Sequence, residues 1–215
     1  MQEFARGPLL WIAFVISIGG SIYRIAAMIS GAKKEKTVLP YMDLHFGLRS
    51  ILHWVVPFAT KSWRLQPAMT VMTFTFHFCL LATPVFLLGH NVLWQESWGI
   101  SWRCFPDGLS NVLAITAVVI GLLLLLRRIV NPTVRFVTSF TDYIFIAIVL
   151  APFVTGVLAY YQIFNYQTIM LLHMWCGAIW LVAVPFSRIS HMLFFPFTRA
   201  YMGCEFGLVR SARDW

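Results

Sequence analysis

Apolar residues run along this chain in five long blocks, at approximately 8–30, 68–92, 109–130, 139–161 and 168–195. Each block is long enough to cross a bilayer, which takes about 20 predominantly apolar residues in a helix. A shorter stretch, about 43–58, is rich in Leu, Ile, Trp, Phe and Val, yet carries Asp43, His45, Arg49 and His53. That mixture predicts an amphipathic helix on the cytoplasmic face, with His45 and His53 as interfacial polar residues. The pattern therefore predicts an all-α, polytopic membrane protein, one membrane domain built as a bundle of five transmembrane helices.

Polar and special residues punctuate the blocks. Ser17, Gly19, Gly20 and Ser21 in the first suit close packing of transmembrane backbones. Pro57 and Pro67 bracket a turn before the second, and Pro84 predicts a kink inside it. Trp94, Trp98 and Trp102 follow, as an aromatic belt at headgroup depth. Pro132 stops the third block. The fourth begins near Asp142 and carries Pro152, Thr155 and Gly156, read as a kink and a close helix contact. The uncharged link 162–167 predicts an antiparallel hairpin of the last two spans.

Composition agrees with the pattern. Of 215 residues, 60% are hydrophobic and 11% charged, against about 25% charged in a soluble domain. A net charge of +8 would fit nucleic acid, but the cations cluster at the ends of apolar blocks, where topology accounts for them. Only Arg6 and Arg103 fall on one side of the implied membrane. The other Lys and Arg residues, including Arg24, Lys33, Lys34, Lys36, Arg49 and Arg188, fall on the opposite side. The positive-inside rule then places the N-terminus outside and the C-terminus in the cytoplasm, consistent with five spans. The first block lacks a small-x-small cleavage site and reads as a retained anchor. The basic tail from Thr198 suits docking of a soluble partner. Cys79, Cys104, Cys176 and Cys204 are scattered, with neither a C-x-x-C-H sequence nor the paired spacing of a zinc or iron–sulfur site.

The candidate chemistry lies in four histidines. His173 and His191 stand 18 residues apart in the last block, five whole turns of a regular helix, so both imidazoles share a face about 27 Å apart. His77 and His90 lie in the second block, which runs in the opposite direction. Depth therefore pairs His77 with His191 on the cytoplasmic side and His90 with His173 on the outer side. Intramembrane ionisable groups are functional candidates by default, and neutral imidazoles on facing helices are good haem-iron ligands. Two bis-histidine b haems account for all four positions. Arg188, three residues before His191, is a candidate partner for haem propionates. The 13-residue spacing of His77 and His90 directs them about 140° apart on a straight helix, so Pro84 must bend the second span.

Several segments carry a family resemblance. These are Phe76-His77 with Gly89-His90, Arg127 to Arg135 followed by Thr141-Asp142, and His173 with the run Pro185 to His191. On them the chain resembles the respiratory nitrate reductase gamma-subunit family of dihaem cytochromes b. The gap between the second-span histidines is three residues longer than in nitrate-reductase members, and the lysine associated with their quinol site has no clear counterpart. Ser62 to Pro67 and the Leu88-Gly89-His90-Asn91 frame look closer to a branch in sulfate-reducing bacteria. That branch comprises the cytochrome b subunits of the high-molecular-weight cytochrome and tetrahaem-cytochrome transmembrane redox complexes.

The resemblance implies two haem b groups ligated by His77, His90, His173 and His191, in the bacterial cytoplasmic (inner) membrane. It implies electron transfer between a periplasmic multihaem cytochrome c and a cytoplasmic iron–sulfur subunit resembling heterodisulfide reductase, with menaquinone exchange and further membrane subunits left open. Two other readings of the histidines stand beside it: a proton or solute transporter using them as a relay, and a non-redox membrane anchor.

Overall fold

A computed structural model describes residues 2–35 and 39–214; Lys36, one of the cations used for orientation, lies outside them. Among the described residues there is no strand. In chain order the helices are α1 (Gln2–Lys34), α2 (Leu44–Val55), α3 (Lys61–Leu65), α4 (Pro67–Phe86), α5 (Leu88–Trp98), α6 (Asp107–Val130), α7 (Pro132–Phe136), α8 (Phe140–Tyr160), α9 (Tyr166–Phe186) and α10 (His191–Cys204). Five of them, α1, α4, α6, α8 and α9, are long and apolar enough to cross a membrane, which makes this a multi-pass membrane protein.

Helix ends follow local chemistry. Asp43 caps α2 by accepting from the Phe46 amide at 3.0 Å, and Pro67 opens α4 at the first helical position, where its missing N–H costs nothing. Asn131 accepts from the Thr133 and Val134 amides at the start of α7. Ser139 and Asp142 form a capping box at the start of α8. Gly99, at φ 69°, ends α5 in the left-handed conformation.

The expected second and fifth spans are not single helices. The second is interrupted at Leu87, which is extended (φ −72°, ψ 129°), and His90 sits in the new helix α5. The fifth is interrupted at Ser187 (φ −131°, ψ −176°). A 3₁₀ turn over Arg188–Ser190 follows, and then α10 begins at His191. A proline precedes each break by two or three residues, Pro84 and Pro185. Proline removes a backbone donor and crowds the preceding turn. The five-turn arithmetic that put His173 and His191 on one helical face therefore does not apply, because they stand on different helices.

The chain divides into two compact units. One comprises Met1–Trp11 and Met72–Trp180. Its centre is Cys79, Ala117 and Phe153, flanked by Leu80, Leu113, Ala114 and Val118. The helices are turned inside out relative to a soluble bundle: α6 buries Ser110, Ala117 and Gly121, while Val112, Val119, Leu122 and Leu126 are exposed. Small residues inward and large apolar ones outward is how helices pack when lipid is the solvent. Gly121 lets α6 approach α8 closely: a Cβ there would meet the Leu150 side chain, which would have to move.

The other unit comprises Ile12–Val71 and Leu181–Trp215. In it α2 lies against α10, with Gly203 so close that a Cβ would sit 2.5 Å from the Phe46 carbonyl oxygen. The Cys204 thiol meets the backbone of Asp43 at 3.2 Å. Ser50 donates to Asp214 at 2.5 Å, and Arg199 stacks over Trp54. The segment expected to be amphipathic at 43–58 is thus helical over Leu44–Val55. It buries Gly47 and Ser50 while Leu44, Leu48, Leu52 and Val55 remain exposed as one stripe.

Candidate functional site

In the first unit α5 and α9 bring His90 and His173 together. Their ring centroids are 6.0 Å apart and their planes differ by 16°. Each ring is fixed through Nδ1. His90 Nδ1 lies 2.8 Å from the Pro84 carbonyl oxygen, and His173 Nδ1 lies 2.9 Å from that of Pro152. A carbonyl oxygen can only accept, so Nδ1 carries the proton and Nε2 keeps its lone pair, the form needed of a metal ligand. Thr155 Oγ1 stands 3.2 Å from His173 Nδ1 and is itself held by the Ala151 carbonyl at 2.7 Å. Gly156 lets the ring approach α8, since a Cβ there would lie 3.2 Å from His173 Cε1.

The break at Leu87 gives His90 its partner. Ending α4 at Phe86 frees the carbonyls of its last turn. Pro84 takes the His90 imidazole, Val85 takes the Trp102 indole N–H at 2.9 Å, and Phe86 takes the Phe105 amide at 3.0 Å. Buried Asn91 ties the same loop by donating to the Trp102 carbonyl at 3.2 Å. The tryptophans expected as a belt form a cluster, with Trp94 4.1 Å from Trp98 and 5.7 Å from Trp102. Trp11 joins it 4.9 Å from Trp98, beside the Arg6–Glu96 ion pair.

His77 and His191 are each described within their own unit. His77 Nδ1 bonds the Thr73 carbonyl at 2.8 Å, one turn back in α4. His191 Nδ1 bonds the Arg188 carbonyl at 2.9 Å, across the 3₁₀ turn. Both are therefore protonated at Nδ1, like His90 and His173. The same bond from His53 to Arg49, at 2.8 Å, is ordinary helical geometry, so for His77 it is permissive rather than diagnostic. His191 and Arg188 line a cavity of about 400 Å³ together with Arg24, Phe194 and Phe195. His45 packs its ring against Phe46.

Haem is the group the sequence implies, and the His90–His173 pair fits it. With metal–imidazole bonds of about 2 Å and a ring radius of about 1.1 Å, two imidazoles on one metal have centres roughly 6 Å apart. Among the described residues no three His, Cys, Asp or Glu side chains converge. A pair of histidines suits a metal that brings its remaining ligands with it. Sequence reasoning gave the histidines but missed the hydrogen-bond acceptors from Pro84 and Pro152, the Trp102 and Phe105 donors, and Arg24. The prolines were signal enough for kinks. Which donors would fill the freed carbonyls is a tertiary matter.

No family model matches the chain, and no solved structure matches it. A protein of Nitratidesulfovibrio vulgaris (strain Hildenborough), named simply Protein, is 35% identical over 216 residues, covering 98% of this chain and 96% of its own length. That extent of identity spans all five long helices and both breaks, and the chain belongs to the family of that Nitratidesulfovibrio vulgaris protein.

Proposed function

We propose that this protein is a dihaem cytochrome b subunit that carries electrons across the bacterial cytoplasmic membrane. Its partners are a periplasmic multihaem cytochrome c and a cytoplasmic iron–sulfur subunit resembling heterodisulfide reductase. The N-terminus is outside and the C-terminus inside, following the distribution of Lys and Arg. The observation that carries this reading is the His90–His173 pair, at 6.0 Å and nearly parallel, with both Nδ1 atoms donated to carbonyls. Bound haem iron supplies the one-electron chemistry. The chain's own residues supply ligation, ring orientation and a low-dielectric sheath of apolar helices.

On the periplasmic side, the Pro84 and Pro152 carbonyls fix the tautomer and rotation of His90 and His173 and raise their basicity as ligands. On the cytoplasmic side the depth assignment pairs His77 with His191, and Arg188 offers its guanidinium to carboxylates beside His191. Menaquinone exchange is not required by this reading.

A pyridine haemochrome assay on the purified protein should find two b haems per chain; finding none would sink the proposal. His173→Met should lose one haem and His191→Met the other, resolved by low-temperature spectra. Loss of the same haem in both variants would overturn the pairing.

A further inference from the structure

Among the described residues of the second unit, Arg24 is the one arginine that lies within a long apolar helix. It lies ten residues before the end of α1, about 15 Å along the axis. Its position is fixed by packing one turn earlier. Gly20 meets the end of α9 so closely that a Cβ would lie 2.8 Å from Pro185 Cγ and 3.1 Å from Phe186 Cζ. Ala13 and Ser17 continue the same buried face. With α1 held at Pro185, the next turn carries Arg24 to the segment Arg188–Phe194, where both arginines line the cavity with His191.

Inside that cavity Arg24 has no carboxylate. Its guanidinium lies 5.3 Å from the Phe194 ring centroid, and among the described residues it takes part in no ion pair. Three acids of this unit have partners of their own: Asp43 caps α2, Glu205 pairs with Arg210, and Asp214 with Ser50 and Arg199. Arg24 is half-buried in an otherwise apolar helix, and a cation partly withdrawn from water gains from an anion that meets it. A guanidinium presents a planar fork of donors that matches a carboxylate or a phosphate in two parallel hydrogen bonds.

We infer that Arg24 forms an anion site beside His191, in the cavity that Arg188 also lines, and that its occupant is a carboxylate of the haem ligated there. Arg24 is then a positioning residue: it holds that carboxylate of the macrocycle and sets the field at its iron, without touching the metal. This inference rests on the dihaem reading proposed above. The same fork would also take a phospholipid phosphate, so the test carries an arm for that source.

The experiment compares wild-type protein with Arg24→Gln and Arg24→Lys in nanodiscs of defined anionic lipid. Haem content per chain, redox titration of each haem and bound phospholipid phosphate are the three readouts. Arg24→Gln should lower the midpoint of one haem only, the haem that His191→Met removes, because losing a nearby positive charge favours the oxidised form. Arg24→Lys, keeping the charge but not the fork, should recover most of that shift. If the wild type holds two haems and Arg24→Gln moves neither midpoint, or moves both equally, this inference fails while the dihaem reading stands. Loss of tightly bound phosphate with both midpoints unmoved would assign the site to lipid and also overturn it. A wild type without haem overturns both.

Discussion

Two breaks in the long helices deliver two of the four histidines, and they are built in opposite ways. At Leu87 the freed carbonyls are met from a distance: Trp102 and Phe105 reach back from the following loop, and His90 closes the third position. At Ser187 the repair is local. Ser187 Oγ accepts from the Ile189 amide, Ser190 Oγ donates to the Ser187 carbonyl, and His191 Nδ1 turns back onto Arg188. The first histidine is a structural part of its break; the second merely follows one. A break repaired from a distance holds its shape only while the loop is folded. A locally repaired one is written in four consecutive residues, Ser187 to Ser190.

The largest expected effect tests that asymmetry directly. His90→Ala should lose one of the two proposed haems and also strip the Pro84 carbonyl of its donor. An orphaned buried acceptor costs about 1–3 kcal/mol. His191→Ala should lose the other haem, but its ring is exposed and its partner is a turn carbonyl, so the polypeptide itself should lose less than about 1 kcal/mol. Thermal melts of the two apoproteins in one detergent make the comparison. Equal destabilisation would mean that His90 is not part of the Leu87 lock.

Trp102→Phe comes next. It keeps most of the ring in the tryptophan cluster and removes only the N–H to the Val85 carbonyl, at a cost of about 1–3 kcal/mol if no water replaces it. Since Trp102 and His90 cap neighbouring carbonyls, the variant should also shift the midpoint of the haem bound by His90, with the other haem unmoved. A stability loss without that shift would separate the loop from the ligand.

Smaller again is Gly156→Ala. The new Cβ would stand 3.2 Å from His173 Cε1, tighter than a comfortable contact, so the ring must tilt by a few tenths of an ångström. Both haems should be retained, and the low-spin electron paramagnetic resonance signal of one should change. Loss of haem would place His173 under more strain than its two polar neighbours imply.

How far the sequence could be read follows the same division. The five long helices were legible because length and hydropathy suffice to define a span. The helix at 43–58 was legible as an amphipathic stretch, while its Asp43 cap and the Ser139–Asp142 capping box emerge only in the structure. Pro84 signalled a bend in the second span, and the chain does leave the helix three residues later, at Leu87. The last span was misread as one straight helix because its apolar run continues through Pro185, and hydropathy cannot register a break that leaves side chains apolar. The assignment of acceptors to His90 and His173 was not legible, since it joins residues as distant as Pro152 and His173. Arg24 looked like a topological anchor because its partner cavity exists only once Gly20 has met Pro185.

The smallest effect belongs to the local break, and it completes the contrast. Ser187→Ala removes one capping oxygen from the Ile189 amide, a change worth about 0.5–2 kcal/mol at helix starts generally. Here Ser190 still bonds the Ser187 carbonyl at 2.7 Å, so the loss should fall at the lower end. The turn should survive with His191 in place, because its direction is set by several short-range bonds, any one of which is dispensable. Haem content should stay at two per chain and neither midpoint should move. A Ser187→Ala protein that lost the His191 haem would show that this break, too, is held by something beyond its own four residues.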